Sequence, residues 1–398
     1  MTDYALLLLP SANRVYTDAA VELTLAELEI FGSVLDAPLS ELAPATIAGV
    51  GYVTFTTDLL SARDLSYLGN ASAAYALFER QGPLLLPLPL ARLDRFDDDL
   101  LTIQKYAGKT NEQFTKLLLN VTLLALADPG ALLDGRLRVL DPLCGRGTTL
   151  NQVLMYGHDA AGVDLDGKDY EAYQGFLRTY LQRKRIKHRI EEGPVRREHK
   201  VVARRLTARI GDQRSESAQT LDVVNADTVR ALEFFKRNTF DAVVADAPYG
   251  VQHGSTGPKG LRRGPLDLLA EAAPVWAALL RRGGALGLSW NVHVARREDA
   301  VDVLSEAGLT VKTGGGYERL RHRVDQSILR DVLVATKPRP RPARNPAPPG
   351  PRHRARPDLT QDQHNCCNVG GGSAPNPPTS QQLCRSCRAD LEPPPGRT

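Results

Sequence analysis

The sequence predicts an α/β protein built on a parallel sheet, preceded by a small α+β module and followed by a tail that does not fold. Three observations carry this expectation. Two apolar, β-branched runs, Leu137–Asp141 and Phe240–Ala245, each end in a turn led by an aspartate, Asp141 and Asp246. The first turn, Pro142-Leu143-Cys144-Gly145-Arg146-Gly147, is glycine-rich and runs into Thr148-Thr149, which opens a helix. Strand-like and helical runs then alternate to about residue 337. A parallel sheet opens its ligand crevice at the carboxyl ends of its strands. The glycine turn is therefore expected to face a cofactor. The second turn, Asp246-Ala247-Pro248-Tyr249-Gly250, sets a carboxylate, a stiff backbone and an aromatic face side by side.

Bulk properties set limits. A chain of 398 residues with 42% hydrophobic content holds one large α/β domain with an appendage, or two domains. The richest apolar run, Leu117–Ala127, is broken by Asn120 and Thr122 and is too short to span a bilayer. The N-terminus has no basic region followed by a cleavable apolar stretch, so no signal peptide is expected. Only Cys144 lies in the part expected to fold, which predicts a protein without stabilising disulfides and a cytoplasmic location. The net charge of +4 hides an uneven distribution. Arg178–Ile210 holds twelve Lys or Arg against three Glu, and the segment from Pro338 holds nine Arg against four acidic residues. Basic charge gathered at one place predicts contact with a polyanion there.

In order, the N-terminal module, residues 1–96, reads as strand 4–9, helix 21–31, strand 48–57, helix 61–80 with a soft break at Gly69-Asn70, and an edge strand 84–90 with Pro87 and Pro89. Residues 97–337 form the main domain. A helix over 111–127 covers the site, followed by strand 137–141, helix 148–156 and strand 160–164. A helix from Asp166 merges into a basic insertion at about 178–220. Strands 222–224 and 240–245, helix 265–281, strand 285–289, helix 295–307 and strands 310–313 and 327–335 complete it, the last strand antiparallel. From Pro338 to Thr398 the composition collapses into Pro, Arg, Gly and Ser, which cannot bury enough surface to fold. There Cys384-Arg-Ser-Cys387, with Cys366, Cys367 and His364, hints at zinc, but a second well-spaced pair is lacking and no metal is expected.

Asp141-Pro-Leu-Cys-Gly-Arg-Gly-Thr148 resembles motif I of S-adenosylmethionine-dependent amino-methyltransferases, and Asp246-Ala-Pro-Tyr-Gly250 resembles their motif IV, commonly (Asp/Asn)-Pro-Pro-(Tyr/Phe). Tyr106-Ala-Gly-Lys-Thr110 and Phe114-x-x-x-Leu-Leu-Asn120 resemble the helix that precedes the core in tRNA guanine-N(2) methyltransferases of the position-ten class. The likeness covers roughly residues 103–337. It implies the class I methyltransferase fold, a Rossmann-like seven-stranded sheet, with S-adenosylmethionine as cofactor and RNA, foremost tRNA, as partner. The N-terminal module would position the RNA. No membrane partner is implied.

The resemblance also assigns roles. Asp141 meets the cofactor's ammonium, and Gly145 and Gly147, flanked by Pro142 and Thr148, let the loop approach the methionine end and ribose. Cys144 lies on the cofactor side as a small apolar filler. Asp164 accepts the ribose hydroxyls, with Asp166 as the alternative in register. Asp227 accepts from the adenine amine, with Ala226 beside it. Tyr106, Lys109, Thr110 and Asn120 line the roof. Asp246 and the Ala247 carbonyl accept the two hydrogens of an exocyclic amine, while Pro248 stiffens the turn and Tyr249 stacks on the base. Ala247 departs from the family's proline, which reduces rigidity. Phosphate contacts are expected from Arg183, Lys184, Arg185, Lys187, Arg196 and Arg197 in the insertion, and from Lys259, Arg262 and Arg263. A DNA amino-methyltransferase and a non-catalytic relic are the competing expectations. No cysteine near motif IV offers the nucleophile that carbon-5 pyrimidine methylation needs.

Overall fold

A computed structural model describes residues 1–10, 14–212, 214–215, 217–247 and 264–339. The described residues form two sheets within one compact unit. The first is made by β1 (Thr2–Leu8), α1 (Arg14–Gly32), β2 (Ser40–Ile47), β3 (Val50–Thr57), α2 (Ala62–Gly69), β4 (Ala74–Gln81) and β5 (Leu84–Leu88). Its strand order is β2-β3-β1-β4-β5, antiparallel throughout. Tyr4, Leu6, Val53, Phe55 and Leu77 bury one face of it with Leu23, Leu28 and Phe31 of α1.

The strand expected over 48–57 is present as β3, the second arm of a hairpin whose first arm, β2, the sequence reading lacks: Ala48 and Gly49 take positive φ of 50° and 81° and reverse the chain in two residues. The helix expected over 61–80 ends at its C-cap, Asn70, and the chain re-enters the sheet as β4. The side chain of Ser61 starts that helix in a reciprocal capping box with Asp64.

Short helices α3 (Asp99–Thr102), α4 (Glu112–Leu123) and α5 (Ala131–Asp134) lead into the second sheet. Its elements are β6 (Arg138–Asp141), α6 (Thr148–Met155), β7 (Asp159–Asp164), α7 (Gly167–Arg183), β8 (His188–Arg197), β9 (Lys200–Ile210), β10 (Gln219–Asn225), β11 (Phe240–Asp246), α8 (Pro265–Leu279), β12 (Leu280–Asn291), α9 (Arg297–Glu306), β13 (Thr310–Val311), β14 (His322–Arg323) and β15 (Leu329–Thr336). The order is β13-β15-β12-β11-β6-β7-β10-β9-β8, with β14 paired to β15. From β12 to β10 the strands run parallel, and β15 runs against β12. The first seven strands of that order have the class I methyltransferase arrangement. The chain winds outward from β6 to β10 and returns to β11, so β6 and β11 flank the switch point where such sheets bind ligands.

The basic insertion corrects the sequence reading. Instead of prolonging α7 it forms the β8–β9 hairpin, which extends the sheet beyond seven strands. Glu198 and His199 turn it with φ of 46° and 63°. The alternation of Leu206, Ala208 and Ile210 toward the core is the period-2 signal that the dense Arg and Lys obscured.

The two sheets are joined by a buried polar network. Glu27 of α1 is fully buried, accepts from the amide and hydroxyl of Ser72 (2.9 and 2.5 Å), and accepts from the Asn120 side chain of α4 (2.8 Å). Asn120 also donates to the Asn70 carbonyl (2.8 Å) and accepts from Tyr156 at the end of α6 (2.7 Å). Burial pushes the Glu27 carboxyl above its ordinary pKa, while the Asn120 and Ser72 donors pull it back. Asn120→Ala should remove one donor from Glu27 and the acceptor from Tyr156, leaving Ser72 on Glu27 and the Asn70 carbonyl for Tyr156, and lower unfolding free energy by about 2–4 kcal/mol in urea titration, with unchanged far-UV dichroism before the transition.

Candidate active site at the carboxyl edge of the parallel sheet

Parallel pairing of Leu140 with Val243 sets the ends of β6 and β11 side by side, and β7 ends on the other flank of β6. Asp141, Asp246 and Asp164 therefore emerge along one edge. Asp141 is 3% exposed and forms no ion pair among the described residues. Its Oδ1 accepts from the Leu143 amide at 3.0 Å and its carboxyl is also bonded by the Thr149 side chain. Burial pushes it up to about 7; the Leu143 and Thr149 donors oppose this, and the charges of Asp246 and Asp164 add to it.

The loop after β6 is held by its surroundings. Gly147 has φ of 80°, and a Cβ there would lie 2.3 Å from the Tyr173 ring, so no side chain fits. Gly145 has φ of 47° and open space where a Cβ would be, and its amide donates to Asp164 at 2.6 Å. The second Asp164 oxygen accepts from the Asp166 amide at 2.8 Å. Asp166 itself caps α7, accepting from the Lys168 amide. Pro142 and Cys144 are buried, and the Cys144 sulfur fills the space over Gly162, where a Cβ would approach it to 2.7 Å. Burial pushes the Cys144 thiol well above its ordinary range, which makes it a packing group. Asp227 caps the short 3-10 turn Thr228–Glu233 through the Val229 amide, and the Ala226 amide is bound to the Asp164 carbonyl.

A strap over residues 104–110 crosses this loop. Gln104 donates to the Arg146 carbonyl (3.1 Å), and the Tyr106 and Thr148 hydroxyls lie 3.3 Å apart. The Arg146 guanidinium sits 4.6 Å from the Tyr106 ring centre and pairs with Asp169 at 2.8 Å. At the end of the strap the Thr110 hydroxyl donates to Asp246 Oδ2 at 2.5 Å. The other Asp246 oxygen accepts from Ser289, its register partner on β12. Lys109 turns to the Leu101 carbonyl and to Glu112.

Three site expectations need comment. Asn120 does not line the roof: its amide is committed to Glu27, Asn70 and Tyr156 in the interior. Ala247 answers its own departure from proline, because its amide donates to the Ser289 carbonyl at 2.9 Å, a bond proline could not make. Pro248, Tyr249, Lys259, Arg262 and Arg263 lie outside the described residues. Ser289 carries no motif signal; only the pairing of β11 with β12 brings it to Asp246.

The two hairpin strands sit four and five strand spacings from β11, about 19–24 Å across the sheet. Lys184 pairs with Asp97 and Asp99, Lys187 with Asp212 and Arg197 with Glu233. Arg183, Arg185 and Arg196 are exposed and form no ion pair among the described residues. Among the described residues no cluster of His, Cys, Asp and Glu could hold a metal ion, and no helix is long and apolar enough to cross a membrane.

No protein-family model and no curated protein matches the chain. Among solved structures it is similar to TrmN from Thermus thermophilus, at 15% identity over 85% of this chain and 100% of that one, with a TM-score of 0.40. It is also similar to a TehB-like SAM-dependent methyltransferase from Corynebacterium glutamicum (18% identity, 52% and 85% covered, TM-score 0.31). A third is an rRNA methylase from Streptococcus thermophilus (10% identity, 59% and 100% covered, TM-score 0.31). At such values the likeness is one of fold.

The Asp141 carboxyl gives a pH test. Its folded pKa of about 7 lies above the ordinary value, so the native state holds this proton and the associated stability is lost as pH rises from about 4 through 7. Asp141→Asn should remove that decline. Urea titrations at pH 5 and pH 8 should show the variant gaining on wild type by roughly 2–4 kcal/mol between the two; parallel behaviour would contradict the burial described.

Proposed function

We propose that the protein is an S-adenosylmethionine-dependent methyltransferase acting on the exocyclic amine of a nucleobase in RNA, foremost the 2-amino group of a tRNA guanine. The observation that carries this is the placement of Asp246 beside Asp141 at the switch point, with the strap bonded to Thr148 after the first turn and to Asp246 at the second. The residues fit the cofactor. A strand edge carrying Asp141, Asp164 and Asp246, with no ion pair at Asp141 among the described residues, suits a ligand that carries an ammonium and a sulfonium. Gly145 and Gly147 leave backbone where side chains would obstruct it. Asp164 is oriented by two amides and keeps acceptor capacity for ribose hydroxyls. Asp227, held as a cap, stands at the end of the next strand for the adenine amine.

When bound, S-adenosylmethionine supplies a methyl group activated by its positive sulfur. The protein's part is orientation and hydrogen bonding. An aryl amine is a weak nucleophile because its lone pair is delocalised into the ring. Asp246, aimed by Thr110 and Ser289, is set to accept one N–H and the Ala247 carbonyl the other, which draws the lone pair out of conjugation. Positioning then supplies much of the rate. Asp246 can also take the proton that the methylated amine releases.

Protein incubated with methyl-labelled cofactor and bulk tRNA, then digested to nucleosides, should yield a labelled guanosine. Asp246→Ala should reduce the rate by about 10²–10⁴-fold and Thr110→Val by roughly tenfold, with cofactor affinity retained. Label absent from guanosine would contradict the base assignment, and label absent from all RNA would contradict the substrate class. Because a bound ammonium selects the ionised Asp141, cofactor affinity should rise with pH through about 7 and binding should release a proton, measurable by calorimetry in buffers of different ionisation enthalpy.

A further inference from the structure

Beside the Thr110–Asp246 bond lies a cleft of about 450 Å³ lined by Tyr16, Lys109, Thr110, Glu112, Arg323 and Arg330, among others. It is bounded by α1 of the first sheet, the end of the strap, and the turn between β14 and β15. None of its cations belongs to the basic insertion, and Arg323 and Arg330 lie outside every sequence motif. Its charge is not balanced. Lys109 is neutralised by Glu112, whereas Arg323 is exposed and forms no ion pair or side-chain hydrogen bond among the described residues. Arg330 on β15, the register partner of His322, is buried with its guanidinium 4.0 Å from the Phe114 ring centre.

We propose that this cleft receives one extruded nucleotide of a single-stranded or locally opened RNA, and that Arg323 holds the phosphate flanking the target base. The proposal rests on the reading that Asp246 faces a nucleobase amine, and it adds the site of phosphate recognition. The volume is that of a small-ligand pocket and suits one nucleotide, whereas a paired duplex is far larger. A base that reaches Asp246 through it must therefore leave its stack. Its phosphate would then remain at the exposed mouth, where Arg323 stands. The guanidinium fork matches phosphate oxygens. The hairpin strands lie six and seven strand spacings from β15, about 29–34 Å across the sheet, so their cations contact other parts of an extended RNA.

The test compares Arg323→Gln with Arg282→Gln, which removes an equal charge from an exposed residue at the opposite, amino-terminal end of β12. Equilibrium binding of a short single-stranded guanine-containing RNA is measured from 50 to 200 mM salt, alongside cofactor affinity. Arg323→Gln should weaken RNA binding on the order of fivefold at the lowest salt and flatten the slope of log affinity against log salt by about one, with cofactor affinity unchanged. Arg282→Gln should match wild type. Equal affinities and slopes for wild type and Arg323→Gln would overturn the phosphate site, whatever the enzyme methylates. A wild type that binds the RNA with the expected Arg323 dependence yet labels no RNA nucleoside would leave the phosphate site standing and remove the proposed reaction.

Discussion

A carboxyl group buried without a counter-ion is expensive, and this fold holds one at the centre of its crevice. Asp141 is nearly inaccessible, receives neutral donors, and has Asp164 and Asp246 at the ends of the flanking strands. Protein interiors tolerate such an arrangement where something else completes it. Here a retained proton completes it, because burial pushes the Asp141 carboxyl up to about 7. The parallel register that places the three carboxylates is fixed by the apolar strands beneath them, so the sheet's own packing creates the electrostatic demand.

The remaining parts serve that edge. The buried Glu27–Asn120–Tyr156 network locks α1, α4 and α6 together, and α4 follows directly from the strap. The strap in turn carries Tyr106 to Thr148 and Thr110 to Asp246, spanning the two turns that the sequence marks out. The Asn111 side chain caps α4 by accepting from the Phe114 amide, which fixes where the strap ends. A rigid helix start thus becomes a fixed hydroxyl on the Asp246 carboxylate.

Much of the core was legible because its chemistry is local. Glycine at 147 is required by a positive φ and a ring at contact distance, and aspartates at strand ends cap the turns they open. The seven strands were legible as alternating apolar runs, and their layout was what the family resemblance implied. The hairpin was misread because its inward alternation is carried by only three residues, Leu206, Ala208 and Ile210, among many cations, and its two-residue turn uses Glu198-His199 in place of Asn-Gly. Asn120 was misassigned for a different reason: a polar residue on an apolar helix is equally suited to a ligand or to a buried network, and only the position of Glu27, 93 residues away, decides between them. Ser289, Arg323 and Tyr16 were invisible because strand register and the docking of α1 bring them to the site.

The most direct measurement is a crystal structure of the protein with S-adenosylmethionine. The cofactor's ammonium should lie on Asp141, its ribose on Asp164, and its methyl group should point toward Asp246 with room for an amine nitrogen about 3–3.5 Å from it. A cofactor bound away from the Gly145–Gly147 loop, or with its methyl turned from Asp246, would contradict this arrangement.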